Sequence, residues 1–380
     1  MFQLFLGPLR RAARACLAIE LRRAVCHPLR WRGAVVVVAA GLLAACGGGG
    51  GGGSGGGTSG ASTSGSATPA GGTTSTPATP AKTTPPVTAA PVISAARALP
   101  AAPVWAVYYG NASGLTLSQV ASTFKLIVID ADPGTGTPAF SAAQIAALKA
   151  NGAKVLSYLN LGACEKSRSY WNTVPSGFVS CGANTAAQLG KYSGFQEYWM
   201  NPANADYQNL LVNYVAPRLA ATGVDGFMLD NFEIVGHGTN TTAGPCDATC
   251  AQGGLDLVKQ LRDSFPNLAL VPNAAPVQTI GGSSGGVAFP WLIDGVLAEQ
   301  VYLPSVSTSL VQQLQSWQST EQNLGRSGFF VGSLDYASSC TATSSAQTAW
   351  TAARQAGFSP SISIASLDSI CWWSFLTSGS

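Results

Sequence analysis

From about residue 103 onward, short apolar runs alternate with longer amphipathic ones. The runs predicted as strands are Val104–Tyr109, Leu126–Ile129, Lys154–Leu159, Gly226–Leu229, Ala269–Pro272, Gly295–Tyr302, Phe329–Leu334 and Ser361–Ala365. Runs of this kind suit strands buried on both faces in a parallel sheet. Between them lie the predicted helices Leu117–Thr123, Ser141–Asn151, Ala203–Ala221, Leu255–Ser264, Thr308–Asn323 and Ser344–Ala356. Gly152, Gly223, Gly325 and Gly357 stand where helix C-caps belong. Eight strands with intervening helices predict an α/β fold, a (β/α)8 TIM barrel over residues 101–380. An open doubly wound sheet is the alternative; it fits less well because no Gly-rich phosphate loop follows the first strand.

The amino end has a different character. Residues 1–33 carry seven Arg against one acid, Glu20, and the apolar run Ala34–Ala45 then stops at Cys46. That run is short of the roughly 20 residues a membrane span needs but fits the apolar region of a signal peptide. Leu43-Ala44-Ala45-Cys46 resembles the bacterial lipobox, in which the cysteine is acylated and becomes the first mature residue; a plain secretory signal cleaved nearby is the alternative. Residues 47–100 are Gly/Ser-rich and then Pro/Thr/Ala-rich, a composition that cannot bury a core and reads as a disordered tether. Together these predict an exported bacterial lipoprotein, periplasmic or at the cell surface, whose partner is a membrane through a lipid on Cys46.

Charge is read differently once that segment is set aside. The chain has 20 Lys+Arg and 17 Asp+Glu, a net of +3, but beyond residue 46 the balance is 13 to 16, or −3. The basic character belongs to the targeting segment, and no nucleic-acid footprint remains. Of nine cysteines, six lie in the body: Cys164, Cys181, Cys246, Cys250, Cys340 and Cys371. An even set in an exported protein predicts disulfides. Local pairing, Cys164–Cys181, Cys246–Cys250 and Cys340–Cys371, is the expectation. Zinc is the competing reading, with only His237 as a further ligand in the body.

In a barrel, the residues just past each strand converge on one face. Here they are Tyr109; Asp130 and Asp132; Asn160, then Glu165 and Arg168 on the loop; Asp230, Asn231 and Glu233; Asn273; Glu299; and Asp335 with Tyr336. Tyr158, Tyr170 and Trp171 accompany them. An Asp-Asn turn that caps the next element is the competing reading of Asp230-Asn231, and a buried, paired strand carboxylate that of Glu299. Carboxylates and aromatics around one mouth are the chemistry of a sugar site. Glycosidic cleavage needs one carboxyl to protonate the leaving oxygen and a second as nucleophile or base. Asp230 and Glu299 are the candidate pair. A Ser-His-Asp triad would hang on His237 alone, and there is no Gly-x-Ser-x-Gly elbow. No cofactor is indicated; all-carboxylate binding of a divalent cation remains an alternative.

Several segments, in order, resemble glycoside hydrolase family 114. They are Val104–Tyr109, Leu126–Asp130, Lys154–Gly162, Glu165-x-x-Arg168-x-Tyr170-Trp171, Glu197–Asn201, Gly223–Asn231 and Ala298-Glu299-Gln300. The resemblance implies a barrel that cleaves α-1,4-linked galactosamine or N-acetylgalactosamine polysaccharide. It implies Asp230 as nucleophile and Glu299 as acid/base of a retaining endo-acting mechanism. Tyr109, Asp130, Asn160 and Glu165 would line the subsites, alongside Tyr158, Arg168, Trp171, Asn231, Glu233, Asn273, Asp335 and Tyr336 from the rim. The chain departs from the pattern at Ala163, where many relatives carry an acid, and in its Cys-flanked loops. A polysaccharide-binding lipoprotein without turnover, or a glycosidase for another sugar such as an α-galactoside, are the rival readings.

Overall fold

A computed structural model describes residues 94–133 and 140–377. The expected signal segment with Cys46 and the expected tether up to residue 93 lie outside the described residues. The eight expected strands are present as β1 Trp105–Tyr108, β2 Leu126–Ile129, β3 Lys154–Asn160, β4 Gly226–Asp230, β5 Ala269–Pro272, β6 Gly295–Glu299, β7 Phe330–Ala337 and β8 Ser359–Ile364. β1 to β5 pair in sequence order, as do β6 to β8, every neighbour parallel. A parallel bridge from Asn273 to Leu297 joins the two arcs, and the Trp105 indole donates to Ser359 O at 2.7 Å where β1 meets β8. The fold is TIM-barrel-like, with sequential parallel strands in place of the reversed order of a doubly wound sheet.

The strands read as continuous apolar runs because they are packed on both sides. Alternate residues fill the barrel, among them Val107, Val128, Leu156, Met228, Val271, Leu297, Phe330 and Leu334. The intervening residues, such as Ile127, Val155, Phe227, Leu270 and Val296, pack outward against the helices. Those helices are α1 Leu117–Thr123, α2 Ala142–Leu148, α3 over residues 205–220, α4 Ala248–Ser264, α5 Thr308–Asn323 and α6 Thr343–Gln355. A capping box between Ser141 and Gln144 starts α2. The middle turn of α3, Leu211–Val215, is a π-turn just ahead of Pro217, which cannot donate the usual helical bond. All four expected C-cap glycines have positive φ. α4 begins at Ala248, a turn and more before the expected Leu255, with Asp247 accepting from Cys250 N at 2.8 Å. The stretch reads as non-helical because Gly253 and Gly254 interrupt it. Both glycines are needed for packing: an added Cβ would come within 2.4 Å of the Ala203 side chain or 2.2 Å of Val235.

Two features lie outside the expectation. After β3 the chain forms an antiparallel ribbon of Ala163–Glu165, Gln188–Lys191 and Glu197–Met200, with Glu197–Met200 in the middle. The Cys164–Cys181 disulfide pins it, and the other two expected disulfides are also present. The boundary at residue 100 is also corrected. Leu99 is buried with Trp105 and Phe330 in the barrel core, and Arg97 pairs with Asp294 at 3.3 Å. The body therefore begins by residue 94, although residues 94–100 continue the tether's Ala/Pro composition.

Candidate active site

The inward register of the strands carries the site. Continuing the period-two pattern of the barrel core places Tyr109, Asp130, Asn160, Asp230, Asn273, Glu299 and Tyr336 on the inner face at the carboxyl ends. Asp230 and Asn273 are each 5 % exposed, and Glu299 is half-buried. The Asn273 side-chain nitrogen donates to Asp230 Oδ1 at 3.0 Å and to Glu299 Oε1 at 2.7 Å. One amide thus spans the two carboxylates and uses both of its hydrogens to do so. From β7, the Tyr336 hydroxyl donates to Glu299 Oε2 at 2.5 Å. Burial, then the Glu299 charge, holds the Tyr336 phenol well above its ordinary pKa, so it stays a neutral donor.

Three neighbouring strands turn away in the same manner after their site residue. Asn231, Ala274 and Gln300, which follow Asp230, Asn273 and Glu299, have φ of 58°, 56° and 56°. This left-handed conformation costs a non-glycine residue about 1–2 kcal/mol and concentrates at functional sites. Each step turns the chain directly after the side chain it presents. Only Asn231 has the local propensity for it.

The β3 side of the mouth is a polar network. Asn160, 1 % exposed, donates to Glu197 Oε2 at 2.9 Å and accepts from Asn231 Nδ2 and Ala163 N, both at 2.9 Å. Gly162 lets this corner close: a Cβ there would fall 1.9 Å from Asn231 O. The Tyr158 hydroxyl donates to Glu165 Oε1 at 2.8 Å, and the half-buried Tyr109 ring meets Tyr158 edge-on at 5.5 Å. Arg168 is the hub beside them. It donates to Glu165 at 2.7 Å, to Asp130 at 3.0 and 3.2 Å and to Asp132 at 3.4 Å, and lies 5.2 Å over the Tyr158 ring. Burial works against its charge, but Asp130 and Glu165 outweigh that and hold its pKa well above the usual value. Arg218 of α3 takes the other oxygen of Asp132.

Not every expected residue reaches the mouth. Asp335 is fully buried, and its Oδ1 accepts from Tyr302 N at 2.6 Å and Leu303 N at 2.9 Å. It points away from the pocket because it sits one residue out of phase with the inward Leu334 and Tyr336. Trp171 is also elsewhere. Glu165 and Glu197 oppose each other in the ribbon and face the barrel, so Tyr198, next in sequence, faces the other way. Trp171 packs on that Tyr198 at 5.4 Å with the rings tilted by 32°, and Lys166 Nζ lies 5.7 and 5.2 Å from the two rings. Glu233 is half-buried on the 3-10 turn Phe232–Gly236 beside the β4 end. The residues missed as site members are Glu197 and Arg218. Glu197 stands within a segment that carried the resemblance; Arg218, on a predicted helix, left no signal.

A model described as glycoside-hydrolase family GH114 matches residues 87–375. No curated protein sequence matches the chain. Among solved structures, the glycoside hydrolase domain of PelA from Pseudomonas aeruginosa is similar at 16 % identity with a TM-score of 0.54, over 70 % of this chain and 97 % of that one. A single-residue variant of that domain gives 16 % and 0.53 over the same shares. An α-galactosidase from Thermus thermophilus gives 14 % and 0.43, over 71 % of this chain and 59 % of that one. The first two show a shared fold, and the family match covers the whole barrel: the chain belongs to glycoside-hydrolase family GH114.

Proposed function

We propose that the protein is a retaining endo-glycosidase, exported and tethered by a lipid on Cys46, that cleaves α-1,4-linked galactosamine or N-acetylgalactosamine polysaccharide. The observation that carries this reading is the Asn273 amide between Asp230 and Glu299. Its two bonds bring one oxygen of each carboxylate against a single amide nitrogen, a close pairing that favours the narrow separation of retaining enzymes, ~5–5.5 Å between carboxyl groups, over the ~6.5–9.5 Å of inverting ones. In the proposed reaction the Asp230 carboxylate attacks the anomeric carbon while Glu299 gives its proton to the departing glycosidic oxygen. A glycosyl ester on Asp230 results. Glu299, now a carboxylate, takes a proton from the water that attacks the same carbon and releases Asp230. The Tyr336 hydroxyl donates to Glu299 as carboxylate and can accept from it as acid, which suits a group that gives and retakes a proton.

Charge supports an amino-sugar substrate. Around the mouth Asp130, Asp132 and Glu165 are set against Arg168 and Arg218, while Glu197, Asp230, Glu233 and Glu299 add further acid. An excess of carboxylate attracts a partly deacetylated, cationic polymer. The test incubates the full chain with galactosamine-type exopolysaccharide, follows reducing ends and product masses, and reads the first product's anomer by proton NMR. Oligomers in the α configuration support the reading. Binding without new reducing ends, or β product, overturns it.

A further inference from the structure

We infer that Asp335, outside the mouth, is a positioning residue for Glu299, holding from the far side of β7 the chain that presents that carboxyl. The inference rests on the reading of Glu299 as acid/base. Three successive residues of β7 grip the end of β6. Leu334 O accepts from Gln300 N at 2.7 Å. Asp335 Oδ1 accepts from the consecutive Tyr302 and Leu303 N–H groups at 2.6 and 2.9 Å. Tyr336 reaches Glu299 Oε2 from the inner face. Between the strand and the gripped loop lies the left-handed Gln300, a conformation that persists only where its surroundings over-determine it.

The anchor is built for this task. Asp335 is 0 % exposed, and its bonds go to backbone N–H groups of the β6–α5 loop. Two backbone N–H groups on one buried carboxylate oxygen form a strong, charge-assisted clamp. Releasing it frees Gln300 to leave its strained conformation, and the Glu299 carboxyl then shifts relative to Asn273 and Tyr336. The titratable groups facing Glu299 are Tyr336 from β7 and, across Asn273, Asp230 from β4, with Tyr109 from β1 beside Tyr336. Asp335 itself is faced by Tyr302 and the loop N–H groups.

The experiment labels glutamate carboxyls with 13C in the full chain and assigns Glu299 by the signal lost in Glu299→Gln. Its titration midpoint is then compared in wild type, Asp335→Ala and Asp335→Asn. The expected result is a midpoint moved by about half a unit or more in Asp335→Ala, restored towards wild type in Asp335→Asn, whose amide oxygen still accepts both N–H groups. A midpoint unmoved in folded Asp335→Ala overturns the inference. If Asp335→Ala does not fold, Asp335→Ser, one atom short of both N–H groups, replaces it under the same criteria. The readout needs no turnover, so a wild type that cleaves no amino-sugar polymer defeats the proposed function and leaves this result standing on its own.

Discussion

At the amino-terminal end of the barrel Asp294 is gripped by Arg262 and faces Arg97 at 3.3 Å, while Glu321 meets Arg326 at 3.1 Å. At the carboxyl end Asp230 and Glu299 are bridged by the Asn273 amide, with Tyr336 behind Glu299. The first cluster answers each acid with an arginine, and the arginines also saturate carbonyls: Arg262 reaches Leu268 O at 2.7 Å and Leu292 O at 2.9 Å. This welds α4, β5 and β6 together. The second aims two acids at one another through a neutral donor and adds left-handed steps at Ala274 and Gln300. Ion pairs with cations fix structure and leave little capacity for chemistry. A neutral amide holds two carboxylates in place while leaving each free to change its charge or its bonding.

Several substitutions break or sharpen that contrast. The largest effect is expected in Asp230→Asn and Glu299→Gln, each losing at least about 10³-fold in kcat with an unchanged circular dichroism spectrum. Turnover near wild type in either removes its assigned role. At the opposite end, Asp294→Ala strands two buried guanidinium groups and should cost about 3–5 kcal/mol in urea denaturation. The kcat of the remaining folded protein should not change.

Asn273→Ala removes the bridge and should lower kcat by about 10²-fold, the usual consequence of a misplacement near 1 Å. A loss confined to KM would mean that Asn273 serves substrate binding instead. The next effect is in pH. Burial pushes Glu321 up to about 7, despite Arg326, and Asp335 up to about 6, despite the backbone N–H groups of Tyr302, Leu303 and Val301. Both acids bind a proton more tightly folded than unfolded. Their contribution is therefore fully present below about pH 4 and is lost as pH rises through about 6 to 7, on the order of 3 kcal/mol for Glu321. Denaturation midpoints across that window should fall with pH, and Glu321→Gln should flatten the slope. Smallest, Ala274→Gly relieves a left-handed alanine and should add about 1 kcal/mol of stability. An unchanged midpoint would show that the strain is met elsewhere.

Much of the site was legible because a barrel strand obeys a period of two. Met228 and Asp230, Val271 and Asn273, and Leu297 and Glu299 keep one phase along their strands. The same rule would have turned Asp335 outward, had β7 been extended past Leu334 to its actual end at Ala337. The ribbon was not legible. Its strands are three and four residues long, contain Gly190 and Gln188, and pair across loops; register alone decides that Glu165 and Glu197 face the barrel and that Tyr198, against which Trp171 packs, faces away. Nor do Ala274 and Gln300 carry any sign of a left-handed backbone.

By itself the sequence determined the alternation of apolar strands with helices and the strand-end residues, because each depends on burial along the chain; it supplied an even set of six body cysteines, and the fold decided their pairing. Tertiary structure alone decided which carboxylates meet arginines, that Asn273 joins Asp230 to Glu299, that residues 94–100 belong to the body and that Asp335 grips a loop. Those are contacts between segments tens to hundreds of residues apart. Their partners are chosen by how the strands register around the barrel, and no local pattern encodes that choice.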